Sequence, residues 1–330
     1  MKAIVCRAYG LPGSLAVEEV ERPVAGETEV LLRVEAAAVN ALDWHLLRGT
    51  PRSARLFLGL RRPRYSGPGR DVAGVVEAVG RKVTRLAPGD RVFGTCRGAF
   101  AELARAAETS LVVLPPNTTF EQGAAVPIAG LTALQGLRDA GRLRSGHAVL
   151  VHGAGGGVGT FAVQIAKILR ADVTAVTRTE NLETMRALGA DRVIDYTRED
   201  FLASGQRYDL ILDCFENRPL AALRSALKPE GRHVAAGGPV TSITAIVVGG
   251  LARLVRSWSG RQKFVSLLAR GNPTDLGLLG EWLAAGKLNP VIDRRLGLEE
   301  VPRAICDLGA GRAQGKIVIV PSREGVNGIS

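Results

Sequence analysis

The residues best suited to chemistry are a run of glycines, GAGGGVG (153–159), which would let a backbone come close to an anion. They follow an apolar run, HAVLVHG (147–153), and open a helical pattern, VGTFAVQIAKILR (158–170). This strand, turn and helix order is the setting a dinucleotide-binding glycine pattern requires. There Gly153 and Gly156 let the chain turn tightly and approach a pyrophosphate, Gly159 lets the helix pack close to the strand, and Gly157 counts with them as cofactor-binding. The free N–H groups and positive dipole end of a helix starting near Val158 would face the phosphates. A purely structural turn is the plainer alternative. A P-loop is disfavoured, because Thr160 follows Gly159 with no lysine between them.

The second strand of this region ends in TAVTRTEN, placing Thr177 and Arg178 where NAD-binding units usually keep an acid for the ribose 2′-hydroxyl. An arginine in place of the acid favours a 2′-phosphate, hence NADP(H) over NAD(H). Arg178 would pair with that phosphate, with Thr177, Thr179 and Asn181 as neutral donors and Tyr196 closing the adenosine side. Glu180 beside Arg178 works against a purely electrostatic account, and a solvated surface arginine is the alternative. A bound nicotinamide implies hydride transfer and a proton partner. The Tyr-x-x-x-Lys pair of short-chain reductases is absent, since none of Tyr9, Tyr65, Tyr196 and Tyr208 has a lysine four residues on. Nor do His45, His147, His152 and His233 form a ligand-like sequence cluster with the cysteines.

Two kinds of element must position these groups. Residues 1 to about 118 are short β-type runs broken by Gly and Pro, such as EVLLRVEAAAV (29–39) and AGVVEAVG (73–80), which predicts a compact β-rich domain. From about 120, apolar runs alternate with helical periodicity, predicting right-handed βαβ units and a parallel sheet. A last helix and strand within 287–320 could rejoin the first domain.

The chain has 330 residues, 46% of them hydrophobic, enough for two cores. Cys6, Cys96, Cys214 and Cys306 lie far apart with no CxxC, and the N-terminus lacks a secretory pattern, so a reduced cytoplasmic setting is expected. The apolar stretch 243–258 is interrupted by Gly249, Gly250, Arg253 and Arg256 and falls short of the ~20 apolar residues of a membrane span; it reads as a buried or interface segment, or a lid. The net charge of +11 invites a nucleic-acid partner, but the arginines are scattered and only RRPRYSGPGR (61–70) is dense, so that partner is disfavoured.

The order of VNALDWHLLRG (39–49), GRDVAGVVEAVG (69–80), PGDRVFG (88–94), AVPIAGLTALQGL (125–137), the glycine run, LGADRVIDYTREDF (188–201) and PVIDRRLGLEEVPRAICDL (290–308) resembles the medium-chain dehydrogenase/reductase superfamily. Within it, the chain is similar to the zinc-independent quinone oxidoreductase branch, near the reticulon-interacting and chloroplast-envelope oxoene reductase groups. The resemblance implies an α/β fold: a GroES-like β-rich catalytic domain (1–120, completed by 290–330) and a Rossmann doubly wound parallel-sheet domain (121–289), with NADP(H) in the cleft. The zinc branch carries a catalytic cysteine where this chain has Asn40, and Gly-His-Glu where it has Gly69, Arg70 and Asp71; its four-cysteine structural lobe is missing here. No zinc is therefore expected.

By the same resemblance Asn40 lies near nicotinamide and substrate, with Asp43 at the same strand end and His45 as a hydrogen-bond or proton donor. Asp43 could equally fix the loop, and His45 could be structural. Thr132, Cys214, Phe215, Gly237, Gly238 and Lys316 are implied to contact the cofactor, although Lys316 could be a strand-flanking charge and Cys214 a packed residue. The implied activity is NADPH-dependent reduction of α,β-unsaturated carbonyls or quinones by a homodimer. An alcohol dehydrogenase or ketone reductase, and a non-catalytic NADPH-binding sensor or RNA-binding protein, remain as alternatives. The substrate pocket would be lined chiefly by 50–68 and 240–262.

Overall fold

The computed structural model describes residues 1–50, 55–63, 66–236 and 261–321. The chain divides into two compact units, Met1–Ile128 with Gly271–Gly286 and Ile292–Ser330, and Ala129–Arg270 with Lys287–Val291. Gly237, Gly238, the apolar stretch 243–258 and parts of the loops expected to line the pocket lie outside the described residues.

The first unit is built from β1 (Lys2–Cys6), β2 (Leu15–Glu19), β3 (Glu29–Ala38), α1 (Ala41–Arg48), α2 (Arg55–Leu58), β4 (Asp71–Val79), β5 (Arg91–Thr95), β6 (Leu103–Ala107), β7 (Leu111–Val113) and α3 (Phe120–Ala125). Valine, leucine and alanine dominate β3 and β4, which pair antiparallel along most of their length, from Val30 opposite Val79 to Ala38 opposite Asp71. Their inward side chains, among them Val30, Leu32, Val34, Val72 and Val76, form the core of this unit.

The second unit follows the predicted alternation, with α4 (Pro127–Gln135), β8 (Ala148–His152), α5 (Gly157–Ile168), β9 (Asp172–Thr177), α6 (Leu182–Ala187), β10 (Arg192–Asp195), β11 (Tyr208–Asp213), α7 (Leu220–Ser225), β12 (Leu227–Ala235) and β13 (Lys263–Ser266). Its strands run in the order β10-β9-β8-β11-β12-β13, all neighbours parallel. That is the doubly wound order, whose switch point lies between β8 and β9 on one side and β11 on the other. One face of the sheet is covered through Leu150, Val176, Ile194, Ile211, Phe201 and Leu223.

The chain then returns to the first unit with α8 (Pro273–Ala284), β14 (Ile292–Leu296), α9 (Val301–Gly309) and β15 (Lys316–Ile319). Asn272 caps α8 by accepting from the N–H groups of Thr274 and Asp275 at 3.0 and 3.4 Å. Val301, Ala304 and Ile305, at helical spacing, are the buried stripe of α9. The strand β15 pairs antiparallel with β3 and parallel with β14, so the end of the chain completes the first sheet.

The division differs from boundaries at 120 and 290, because α3 and α8 go with the β-rich unit. The reason is packing: a side chain on Gly123 would begin 2.6 Å from Leu114 and 3.2 Å from Phe93, and one on Gly280 would begin 3.2 Å from Phe93. Glycine at both positions lets the two helices lie directly on β5 and β7.

Candidate functional site

The residues expected to do chemistry in the first unit meet in a buried polar network where β3, β4 and β15 adjoin. Asn40 follows β3 and precedes α1, Asp71 opens β4 and Lys316 opens β15. The Lys316 ammonium donates to Asn40 Oδ1 at 2.6 Å, to the Val39 carbonyl at 3.1 Å and to Asp71 Oδ2 at 3.3 Å. The Asn40 amide donates to Asp71 Oδ2 at 3.0 Å and to the Ala38 carbonyl at 3.2 Å. Asp71 Oδ1 accepts the Ile128 N–H at 3.1 Å. Burial pushes the Asp71 carboxyl upward, while Lys316, Asn40 and the Ile128 N–H pull against it.

Asp43 lies at the edge of the same network. Its Oδ2 accepts the Asn40 N–H at 2.8 Å and its Oδ1 the Gly69 N–H at 3.2 Å. Gly69 sits at φ +93°, and a side chain there would begin 2.7 Å from the Phe100 backbone nitrogen, so glycine is required. Burial raises the Asp43 carboxyl to about 6, with the nearby Asp71 charge adding to the effect and the two backbone N–H groups and Lys316 opposing it.

This geometry commits groups that the resemblance implied would face substrate or cofactor. Both N–H bonds of the Asn40 amide, the Asn40 carbonyl, both Asp43 oxygens and the Lys316 ammonium are taken by internal partners. In this arrangement they hold the 39–43 turn. His45 is different: it is half-buried on α1, and burial followed by the Arg48 charge lowers its pKa, so the ring is neutral at pH 7. A neutral imidazole still donates one hydrogen bond.

The network also tests the fit of a zinc ion. Where the zinc branch has sulfur and imidazole, the oxygens of Asn40 and Asp71 surround an ammonium, and a divalent cation among them would meet the fixed Lys316 charge. The donor set does not fit zinc. Among the described residues no group of three or more His, Cys, Asp or Glu could hold a metal ion.

In the second unit Gly153 turns the chain at φ +80°, Gly156 caps α5, and Gly157, Val158 and Gly159 form its first turn, whose N–H groups have no acceptor within the helix. A side chain on Gly159 would begin 2.3 Å from the Gly153 carbonyl oxygen and 2.5 Å from Ala154 Cα. Among the described residues a side chain on Gly156 would meet only the Gly153 oxygen, at 3.5 Å, so they leave that side open. Gly155 belongs with these residues, though sequence reasoning assigned it no role: a side chain there would begin 2.2 Å from Asn181 Nδ2 and 2.7 Å from Thr177 Oγ1. The loop therefore lies directly on the end of β9, where Asn181 donates to Thr177 at 3.3 Å.

Arg178 stands half-buried immediately after β9, and Tyr196 is 49% exposed immediately after β10. The acid missing from β9 has a counterpart one strand over. Asp195, the last residue of β10, accepts the Thr179 hydroxyl at 2.6 Å and the Thr197 hydroxyl at 2.7 Å, which hold its carboxyl below the usual range. Thr132 is buried on α4. Cys214 and Phe215 follow β11 beside Gly153, and burial, followed by the charges of Asp213 and Glu216, raises the Cys214 thiol. It is not poised as a nucleophile. Sequence reasoning also missed a pair of histidines, His152 and His233, on one carboxylate, Asp213. The available signal was a polar residue closing an apolar strand, as in AVLVH and LILD.

A β-rich unit followed by a doubly wound parallel sheet with a glycine loop at its switch point is the architecture of the two-unit dehydrogenases and reductases. The alcohol dehydrogenase GroES-like domain model matches residues 26–116 and the zinc-binding dehydrogenase model residues 188–319. The chain is 34% identical to the chloroplastic quinone-oxidoreductase QR1 of Triphysaria versicolor, over 97% of this chain and 98% of the relative. It is 32% identical to the chloroplastic NADPH-dependent alkenal/one oxidoreductase of Arabidopsis thaliana, over 97% of this chain and 80% of that one. The solved quinone oxidoreductase of Coxiella burnetii superposes with a TM-score of 0.85 at 30% identity, covering 97% of this chain and 99% of that one. The chain belongs to the quinone oxidoreductase-like branch of the medium-chain dehydrogenase/reductase superfamily and is an oxidoreductase.

Two outcomes follow from this geometry. Lys316→Met leaves Asp71 buried without its cation and is expected to cost about 3–5 kcal/mol in urea unfolding, with Asp71→Asn in the same chain recovering part of the loss. A cost below about 1 kcal/mol would mean that the network does not hold the unit together. Gly156→Ala should leave the melting temperature of the free protein unchanged and weaken dinucleotide binding in titration, whereas Gly159→Ala should lower the melting temperature of the free protein. Equal behaviour of the two variants would refute the assignment of the open side to a ligand.

Proposed function

We propose that the chain is an NADP(H)-dependent reductase of α,β-unsaturated carbonyls or quinones that works without zinc. The observation that carries this reading is the glycine loop, with the open side of Gly156 and the first turn of α5 at the switch point of the parallel sheet. Arg178 after β9 favours a 2′-phosphate over a free hydroxyl, and the relative named as NADPH-dependent supports the same preference. When bound, NADPH supplies a hydride.

The protein's own part is positioning and charge. The N–H groups of Gly157 and Val158 face the pyrophosphate, Arg178 and Asn181 hold the adenosine end, and Tyr196 covers it. Thr132 and the turn at Cys214 and Phe215 approach the nicotinamide end. Neutral His45 donates a hydrogen bond to the oxygen that gains charge as a conjugated acceptor is reduced. Asn40, Asp43 and Lys316 keep the 39–43 turn and the start of α1 in place. A conjugated acceptor spreads its negative charge, so no Lewis acid is needed. The chain is also proposed to form a homodimer through β13, the edge strand of the second sheet among the described residues, beside which Leu268 is 86% exposed.

The test is oxidation of NADPH and NADH against a paired panel, an enone, a quinone and a saturated ketone, with and without a zinc chelator. Chelator-insensitive NADPH oxidation with the enone or quinone is expected, and turnover confined to the saturated ketone would favour a ketone reductase. NADPH binding with no turnover, together with steeply salt-dependent RNA binding, would favour the non-catalytic alternative. Arg178→Gln is expected to weaken NADPH about tenfold or more while leaving NADH nearly unchanged, as loss of a charge-assisted phosphate contact should. An equal loss for both cofactors would remove Arg178 from the 2′-phosphate.

A further inference from the structure

Asp213, the last residue of β11, is fully buried and accepts four hydrogen bonds. Its Oδ1 takes His152 Nδ1 at 2.9 Å and the N–H groups of Phe215 and Glu216 at 3.1 and 2.8 Å, and its Oδ2 takes His233 Nε2 at 3.2 Å. His152 closes β8 and His233 lies on β12, the two strands that flank β11. Burial alone would raise the Asp213 carboxyl, but the donors from His152 and His233 hold it far below the usual range. An ionised carboxylate only accepts, so His152 carries its proton on Nδ1 and His233 on Nε2. His233 Nδ1 is then left buried with no partner among the described residues.

Three buried polar side chains thus converge on one short turn, which the Cys214 N–H also ties to the His152 carbonyl at 3.0 Å. Glu216 in it adopts φ +50°, a left-handed conformation unfavourable for a residue with a side chain. Phe215 is 56% exposed, yet its ring stands edge-on to His152 with centroids 6.2 Å apart. Phe201 packs on the same imidazole at 5.0 Å. The Phe215 Cβ lies 3.4 Å from where a side chain on Gly153 would begin. An exposed aromatic is therefore held at a fixed height beside the glycine loop.

We propose that His152, Asp213 and His233 are positioning residues that hold Phe215 as an apolar wall for the dinucleotide lying on the Gly153–Gly159 loop. The inference rests on the dinucleotide reading above and adds to it the residues that set the wall. Asp213 ties the turn to β11 through two backbone N–H groups, His152 ties it to the strand that leads into the loop, and His233 fixes the second carboxylate oxygen. Removing the His233 imidazole frees the second carboxylate oxygen without touching any group proposed to contact the dinucleotide, whereas removing the His152 imidazole also takes away a ring contact of Phe215.

The experiment is a double-mutant cycle between His152→Leu and Phe215→Ala, with His152→Asn and His233→Gln as conservative variants, because an asparagine amide can stand in for Nδ1 and a glutamine amide for Nε2. The readouts are the NADPH dissociation constant, by fluorescence of the bound nicotinamide, and the melting temperature of the free protein. His152→Leu and Phe215→Ala are each expected to weaken NADPH about tenfold, and the double variant no more than either alone. His152→Asn and His233→Gln should stay within about threefold of the unaltered protein. Additive losses, or a lowered melting temperature with NADPH binding unchanged, would overturn the proposal and leave a purely structural role. Should His152→Leu fail to fold, the cycle is run with His233→Leu, and additivity there overturns it equally. If the unaltered protein binds no NADPH, the dinucleotide reading falls and this inference with it; binding with additive variants sinks the inference alone.

Discussion

An ammonium inside an apolar sheet would be prohibitive without partners, since removing a charge from water costs far more than one hydrogen bond returns. Lys316 is tolerable because Asp71, Asn40 and the Val39 carbonyl meet its three N–H bonds at 2.6–3.3 Å. Those partners come from three places in the sequence: residues 39–40 after β3, residue 71 at the start of β4 and residue 316 at the start of β15. The charge cannot be satisfied unless all three segments are in register. The network therefore pins the C-terminal strand to the N-terminal sheet, and with it the turn from β3 into α1. Asp43 extends the pin to Gly69.

The arrangement has a pH signature with a definite sign. Folding raises Asp43 to about 6, so the native protein holds this proton where the unfolded chain has lost it. The stability contributed by that proton is full below the ordinary carboxylate value and is lost as the pH rises through about 6. The cost above that pH is the desolvation of an ionised Asp43, accepted in return for a fixed 40–43 turn. In the second unit the balance is opposite. Asp213 is also buried, but two imidazoles and two backbone N–H groups reverse the desolvation, and its carboxylate stays ionised.

What could be read from the sequence followed from backbone logic. The glycine run was legible because only glycine tolerates the Gly153 turn and the close approach at Gly159, and because a strand preceded it and a helix followed. The alternation of strands and helices, and with it a parallel sheet, was legible from periodicity, whereas the doubly wound order of that sheet was implied only by the family resemblance. The placement of α3 and α8 was not, because it depends on where Gly123 and Gly280 leave room over Phe93, a complementarity without a periodic signal. Long-range polar partners were hidden for a similar reason: Lys316 and Asn40 lie 276 residues apart, and nothing local to either marks the other. Asp195 was passed over because the expected acid was sought at the end of β9, whereas the parallel register puts Asp195 beside Thr177.

The hidden groups share one placement that does follow from physics. Asp71 opens β4 and Lys316 opens β15, while His152, Asp195 and Asp213 each close a strand. A strand end is where the backbone ladder stops, so unmatched N–H and carbonyl groups remain there for side chains to satisfy. A carboxylate at that position can accept from residues two and three further along its own chain, as Asp213 does from Phe215 and Glu216 and as Asp195 does from Thr197. It thereby converts the free end of a strand into a fixed turn. The turns after β8, β9, β10 and β11 are the ones that would face a ligand in a doubly wound sheet. A polar residue closing an otherwise apolar strand in such a sheet is thus better read as the anchor of the next turn than as a catalytic group.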